Sequence, residues 1–236
     1  MAKKQQPKVS RSPRKARGGT TNHSVYQFFT ETTGMTDNQS VAIKEWRSGK
    51  NLIMSGYAGT GKTYLAINLA CEELISKRVS RLLIVRSAVP TRDIGFLPGT
   101  AAEKLSIYEA PYGPVLSDIF QRGDAMLELK DKGVLKIEST SFLRGMTFDD
   151  TVIVVDECQN MTFHEINTIM TRLGEGSRII FSGDIRQADI KGSGIERFMS
   201  IIHRMDPSYF AKIDFSANDI VRSGIVKDYI LAMEGM

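Results

Sequence analysis

Six short runs of β-branched and apolar residues recur along the chain, at 51–55 (NLIMS), 81–86 (RLLIVR), 134–138 (VLKIE), 151–156 (TVIVVD), 178–182 (RIIFS) and 211–215 (AKIDF), with longer segments between them. Several of those segments, 62–77, 114–132, 163–173, 194–205 and 219–233, repeat their apolar residues at helical spacing. Strands alternating with helices leave room for crossovers, and crossovers join parallel strands. The pattern therefore predicts an α/β fold with a mostly parallel central sheet covered on both faces, a three-layer sandwich. LLIV and VIVV lack polar alternation and suit central strands buried on both sides. Ahead of the first strand, 35–46 (MTDNQSVAIKEW) reads as a helix with Thr36 or Asp37 as its N-cap.

Between the first strand and the next helix stands Gly56-Tyr57-Ala58-Gly59-Thr60-Gly61-Lys62-Thr63, which fits GxxxxGK[ST] in the strand-to-helix context that a phosphate-binding loop requires. Glycines let the backbone wrap close to phosphates, and the helix N-terminus adds unpaired N–H groups and a favourable dipole. Lys62 would meet the β- and γ-phosphates and Thr63 would ligate Mg²⁺, with Tyr64 completing the nucleotide contacts. The run 152–155 then delivers Asp156 at its C-terminal end, where a carboxylate can hold the hydrated Mg²⁺, and Glu157 follows as general base for a water attacking the γ-phosphate. A third apolar run ends in Ser182-Gly183-Asp184-Ile185-Arg186-Gln187; Asp184 is placed at the nucleotide, and the Gln187 amide suits reading the γ-phosphate or the water.

Charge separates the chain into two parts. Seven of the 31 basic residues, and no acid, fall in the first 19 positions, so a net charge of +4 resolves into a basic tail and a body with 24 basic against 27 acidic side chains. Residues 1–20 carry almost no apolar side chain and are expected to be a disordered tail, and 21–236 one domain. Arg14, Lys15 and Arg17 of the tail are candidate phosphate contacts on a nucleic acid. The segment 86–114 holds four prolines and three glycines; within it Arg86 and Arg92 are further phosphate candidates and Phe96 a candidate to stack on a base. Cys71 and Cys158 show neither disulfide nor zinc spacing, and no apolar run reaches the roughly 20 residues of a membrane span. A reduced, cytoplasmic protein is expected.

Several of these motifs occur together in a known family. DECQ resembles the DEAQ-type motif of superfamily 1 helicases, GDIRQ their GDxxQ motif, and Asp37-Asn38-Gln39 the element whose Gln recognises adenine. GYAGTGKT, RSAVPTRDIGFLPG, VVDECQN, TRLGEGSRIIFSGDIRQ and DIVRSGIVKDYI resemble, in order, the successive motifs of PhoH-like proteins. The resemblance implies a RecA-like P-loop ATPase fold similar to the first motor domain of such helicases. It further implies ATP and Mg²⁺ as cofactors, Gln39 at the adenine, and RNA or single-stranded DNA as partner.

Superfamily 1 motors cleave ATP between two RecA-like domains, and this length holds one. A homo-oligomeric head-to-tail ring, in which an arginine of one subunit completes the next subunit's site, is therefore expected. Arg172, Arg186, Arg197 and Arg222 are the candidates; the family-like segments favour Arg222 and Arg172. Two other readings stand beside the motor: a small-molecule phosphotransferase using the same loop, and an ATP-switched nucleic-acid-binding module with negligible turnover.

Overall fold

The computed structural model describes residues 24–87, 108–143, 145–184 and 194–234. Strands β1 (Asn51–Gly56), β2 (Arg81–Arg86), β3 (Leu135–Ser139), β4 (Thr151–Asp156), β5 (Arg178–Gly183) and β6 (Phe210–Phe215) form one sheet in the order β3-β2-β4-β5-β1-β6. Every neighbouring pair is parallel, as the alternation predicts.

The helices are α1 (Asp37–Arg47), α2 (Lys62–Ile75), α3 (Tyr112–Ile119), α4 (Ala125–Asp131), α5 (Phe163–Met170), α6 (Ile195–Ile202) and α7 (Gly224–Glu234). Alternate residues of each central strand enter different cores. Leu52, Met54, Val152 and Val154 pack with α1 to α4 on one face, while Ile53, Ile153, Val155 and Phe181 pack with α5 and α6 on the other. This two-sided burial is why β4 is buried at all six positions. Each of its four central aliphatic side chains contributes about 1.5–3 kcal/mol of burial, which fixes the strand that carries Asp156. The edge strands β3 and β6 alternate instead, turning Lys136, Lys212 and Asp214 to solvent, where charge discourages pairing with another sheet.

Two local differences from the periodicity have physical causes. Residues 114–132 form two helices rather than one: Gln121 adopts a left-handed conformation (φ 50°) and Gly123 follows, while buried Phe120 leaves the helix to pack against Phe29. The last helix starts at Gly224 rather than near 219, because Ser216 and Asp219 form a reciprocal cap around a short 3₁₀ turn, Ala217–Asp219. At α1 the structure selects Thr36 as the cap, its side chain accepting from Gln39 N.

Since all strands run the same way, their C-terminal ends share one edge. There β5 stands between β1 and β4, so the turns leaving the three strands meet. Among the described residues no helix is long and apolar enough to cross a membrane.

Candidate nucleotide-binding site

The turn after β1 folds around its own lysine. Lys62 Nζ donates to the carbonyls of Gly56 (2.8 Å) and Tyr57 (2.6 Å) and to Thr60 Oγ1 (3.2 Å). Gly61 then takes a left-handed conformation (φ 78°) as the N-cap of α2, a geometry natural to glycine. α2 begins at Lys62, Thr63 and Tyr64, so its N-terminal turn and the positive end of its dipole lie at the same edge. A loop that concentrates donors in this way is built for an anion.

The acidic strand end meets it directly. Thr63 Oγ1 donates to Asp156 Oδ1 at 2.9 Å, and the Tyr112 hydroxyl, from the start of α3, donates to Asp156 Oδ2 at 3.1 Å. Burial, and then the neighbouring Glu157 charge, push the Asp156 carboxyl above its ordinary range, against the two hydrogen bonds and Arg86. Burial, then Asp156, likewise raises the Tyr112 hydroxyl, so it remains a donor. Burial also lifts the Cys158 thiol to about 12, which leaves it protonated and inert.

Glu157 sits in the left-handed region (φ 52°, ψ 41°), a conformation that costs a non-glycine residue on the order of 1–3 kcal/mol. The turn brings its carboxylate back toward the loop, where Gln159 holds it. Gln159 Nε2 donates to Glu157 Oε2 at 2.6 Å, and Gln159 Oε1 accepts from Asp184 N at 3.1 Å. One buried amide thus joins the ends of β4 and β5. It leaves no room at Gly183, where an added Cβ would run into Gln159 Oε1 and come within 2.9 Å of Cys158 Sγ.

A cavity of about 790 Å³ opens over these groups. Residues 58–64 line it, which are Ala58, Gly59, Thr60, Gly61, Lys62, Thr63 and Tyr64, together with Gln39, Asp156, Glu157, Asp184 and Arg222. Gly56 and Tyr57 stand behind the loop, their carbonyls turned to Lys62. The Gln39 amide spans two backbone groups, accepting from Met35 N (2.6 Å) and donating to the Thr60 carbonyl (3.0 Å). It ties the start of α1 to the phosphate loop.

Arg222 lies against the loop of its own chain. Val221 N donates to the Gly59 carbonyl (3.1 Å), and Arg222 Cγ is 2.9 Å from where a Cβ on Gly59 would stand. Arg172 is elsewhere: its carbonyl accepts from Phe148 N, ahead of β4, at the opposite edge of the sheet. Arg86 ends β2 directly beside Asp156 in the strand register. Arg14, Lys15, Arg17, Arg92, Phe96 and Gln187 lie outside the described residues, as does Arg186. The structure adds two side chains to the site, Gln159 and Tyr112. Gln159 had a signal in the last letter of DECQ; Tyr112, 44 residues from Asp156, had none.

The comparisons agree with this geometry. The sequence model of the family described as PhoH-like protein matches residues 31–234. A PhoH-like protein of Mycobacterium leprae (strain TN) is 37% identical over 179 residues, covering 74% of this chain and 50% of that protein. One from Bacillus subtilis (strain 168) is 34% identical, covering 76% and 56%, and Protein PhoH of Escherichia coli (strain K12) is 32% identical, covering 78% and 52%. The chain thus spans about half the length of these curated relatives. Among solved structures, the large terminase of a thermophilic bacteriophage superposes with a TM-score of 0.54 at 13% identity, over 84% of this chain and 50% of that one. At that identity the likeness speaks to fold, a RecA-like P-loop NTPase domain. The chain belongs to the PhoH-like protein family.

Proposed function

We propose that this chain is a Mg²⁺-dependent ATPase that couples hydrolysis to binding or remodelling of RNA or single-stranded DNA. The observation that carries the reading is the 2.9 Å bond from Thr63 Oγ1 to Asp156 Oδ1, which joins the phosphate loop to the acidic strand end inside one cavity. Mg²⁺ takes hard oxygen ligands, keeps several waters, and needs only one or two protein groups beside the phosphates. With its proton directed at Asp156, the Thr63 hydroxyl offers lone pairs, and the carboxylate lies next to it. The donor set fits. When bound, the ion supplies charge neutralisation across the β- and γ-phosphates.

The remaining work falls to the chain's own groups. Lys62 exchanges loop carbonyls for phosphate oxygens, and the first turn of α2 adds N–H donors. Glu157, held by Gln159, orients the attacking water and accepts its proton. Asp184 borders the γ-phosphate from the end of β5, and the GDxxQ-like motif assigns Gln187 to the same phosphate. The helicase-like Asp37-Asn38-Gln39 element assigns Gln39 to the adenine, and its amide also braces the loop. Arg222, packed on its own chain's loop, serves the nucleotide in cis, which leaves Arg172 as the family-like candidate for a neighbour's site in a head-to-tail ring. A terminase structure of similar fold (TM-score 0.50, 12% identity) was determined with ADP, which supports nucleotide as the ligand class.

The nucleic-acid partner rests on the helicase-like motifs and on the basic residues Arg14, Lys15, Arg17, Arg86 and Arg92. Steady-state phosphate release with and without RNA or single-stranded DNA tests it. Stimulation is expected. ATP consumption that requires a small acceptor would make the chain a phosphotransferase, and nucleotide binding without turnover would make it a switch.

A further inference from the structure

The Asp156 carboxylate is held from two sides, and only one of them belongs to the phosphate loop. Thr63 Oγ1 takes Oδ1; Tyr112, fully buried and reached across the longest connection between neighbouring strands in the fold, takes Oδ2. A buried phenol needs a partner for its hydroxyl, so a tyrosine that merely satisfied itself would be the ordinary explanation. Three features point further. The hydroxyl goes to the carboxylate placed for the cation rather than to a backbone carbonyl. Val115 and Asp118, three and six residues further along α3, line the nucleotide cavity. Finally, burial and then the nearby Asp118 carboxylate raise the hydroxyl of Tyr64, the residue directly after Thr63, so this helix neighbours the phosphate loop as well.

We propose that Tyr112 is the positioning residue of the cation site: its hydroxyl fixes the Asp156 carboxylate in the orientation that keeps Oδ1 on Thr63 and toward the metal. The inference rests on the ATPase reading above. Partners of this kind, one shell out from a metal, typically change metal affinity by about 10- to 100-fold when removed. Without the phenol, rotation about the Asp156 side chain leaves the carboxylate several orientations, of which one suits the ion.

The test is binding of a fluorescent, non-hydrolysable ATP analogue across a Mg²⁺ titration, for wild type, Tyr112→Phe, Asp156→Asn and the double variant. Tyr112→Phe keeps the buried ring and removes one oxygen. It is expected to bind the analogue in EDTA as wild type does, which also reports that the site is folded, and to need about 10-fold or more additional Mg²⁺ for the half-maximal gain in affinity. In the Asp156→Asn background the same change is expected to do nothing more, because Tyr112 acts through that carboxylate. An unshifted Mg²⁺ midpoint in Tyr112→Phe, or an effect that simply adds to Asp156→Asn, overturns the proposal. A wild-type protein whose affinity for the analogue is indifferent to Mg²⁺ overturns the ATPase reading instead, so the two failures are distinguishable.

Discussion

Gln159→Met isolates the amide that holds Glu157. Methionine matches the length and buried volume of glutamine but has neither the N–H donors nor the carbonyl. The bond from Nε2 to the Glu157 carboxylate, at 2.6 Å, is charge-assisted and worth about 1.5–3 kcal/mol, while the buried Asp184 N–H left without its acceptor costs about 1–3 kcal/mol. Solvent reaches Glu157, which trims the first figure, so a loss of about 2–4 kcal/mol in folding stability is expected. Turnover responds separately. A Glu157 side chain released from its left-handed turn samples orientations away from the attacking water, and forfeiting about 1.4–2.8 kcal/mol of positioning lowers kcat by about 10- to 100-fold. Nucleotide affinity stays within about twofold, because Lys62, Thr63 and the first turn of α2 are untouched. Phosphate-release kinetics beside equilibrium binding of a fluorescent nucleotide separate the two quantities. Wild-type kcat in a folded Gln159→Met protein would refute the idea that this amide organises the catalytic carboxylate.

Three further predictions concern charge. Asp156 is raised above its unfolded value, so the folded state holds its proton more tightly and ionising it costs stability as pH rises. Asp156→Asn should therefore unfold at higher temperature than wild type at pH 7 without nucleotide, with the gain shrinking to nothing as pH falls toward about 4; a gain that persists unchanged in acid contradicts the sign. Arg222→Ala should weaken hydrolysis, and mixing it with Lys62→Ala subunits should recover no activity if Arg222 serves its own chain, whereas Arg172→Ala mixed in the same way should recover some. Removing residues 1–19 should weaken binding to RNA or single-stranded DNA and flatten its dependence on salt, as measured by fluorescence anisotropy at several ionic strengths.

Legibility in the sequence followed the range of each interaction. The loop from Gly56 to Thr63 and the acids at 156 and 157 are contiguous motifs whose chemistry is local, so their place at the strand ends could be read from residue order. The parallel sheet followed from alternation, and the buried strands from unbroken apolar runs. What remained hidden depends on which strands become neighbours. The order β4-β5-β1 brings Gln159 to Asp184, and no local pattern announces it. Tyr112 meets Asp156 only because α3 packs beside the end of β4, and Arg222 reaches its own loop because the chain after β6 returns to Gly59. That return also bears on the arginine argument: family-like spacing alone recommends Arg222 to a neighbour, whereas packing sets it against its own phosphate loop.

The central claim is that hydrolysis runs through Glu157 at a site completed by Mg²⁺. The most direct measurement is phosphate release from ATP by wild type and Glu157→Gln, each with Mg²⁺ and with EDTA, with nucleotide binding recorded on the same samples. Wild type should turn over only with Mg²⁺, and Glu157→Gln should bind nucleotide normally while losing at least about 100-fold in rate. Equal rates in the two proteins, or turnover that survives EDTA, would contradict it.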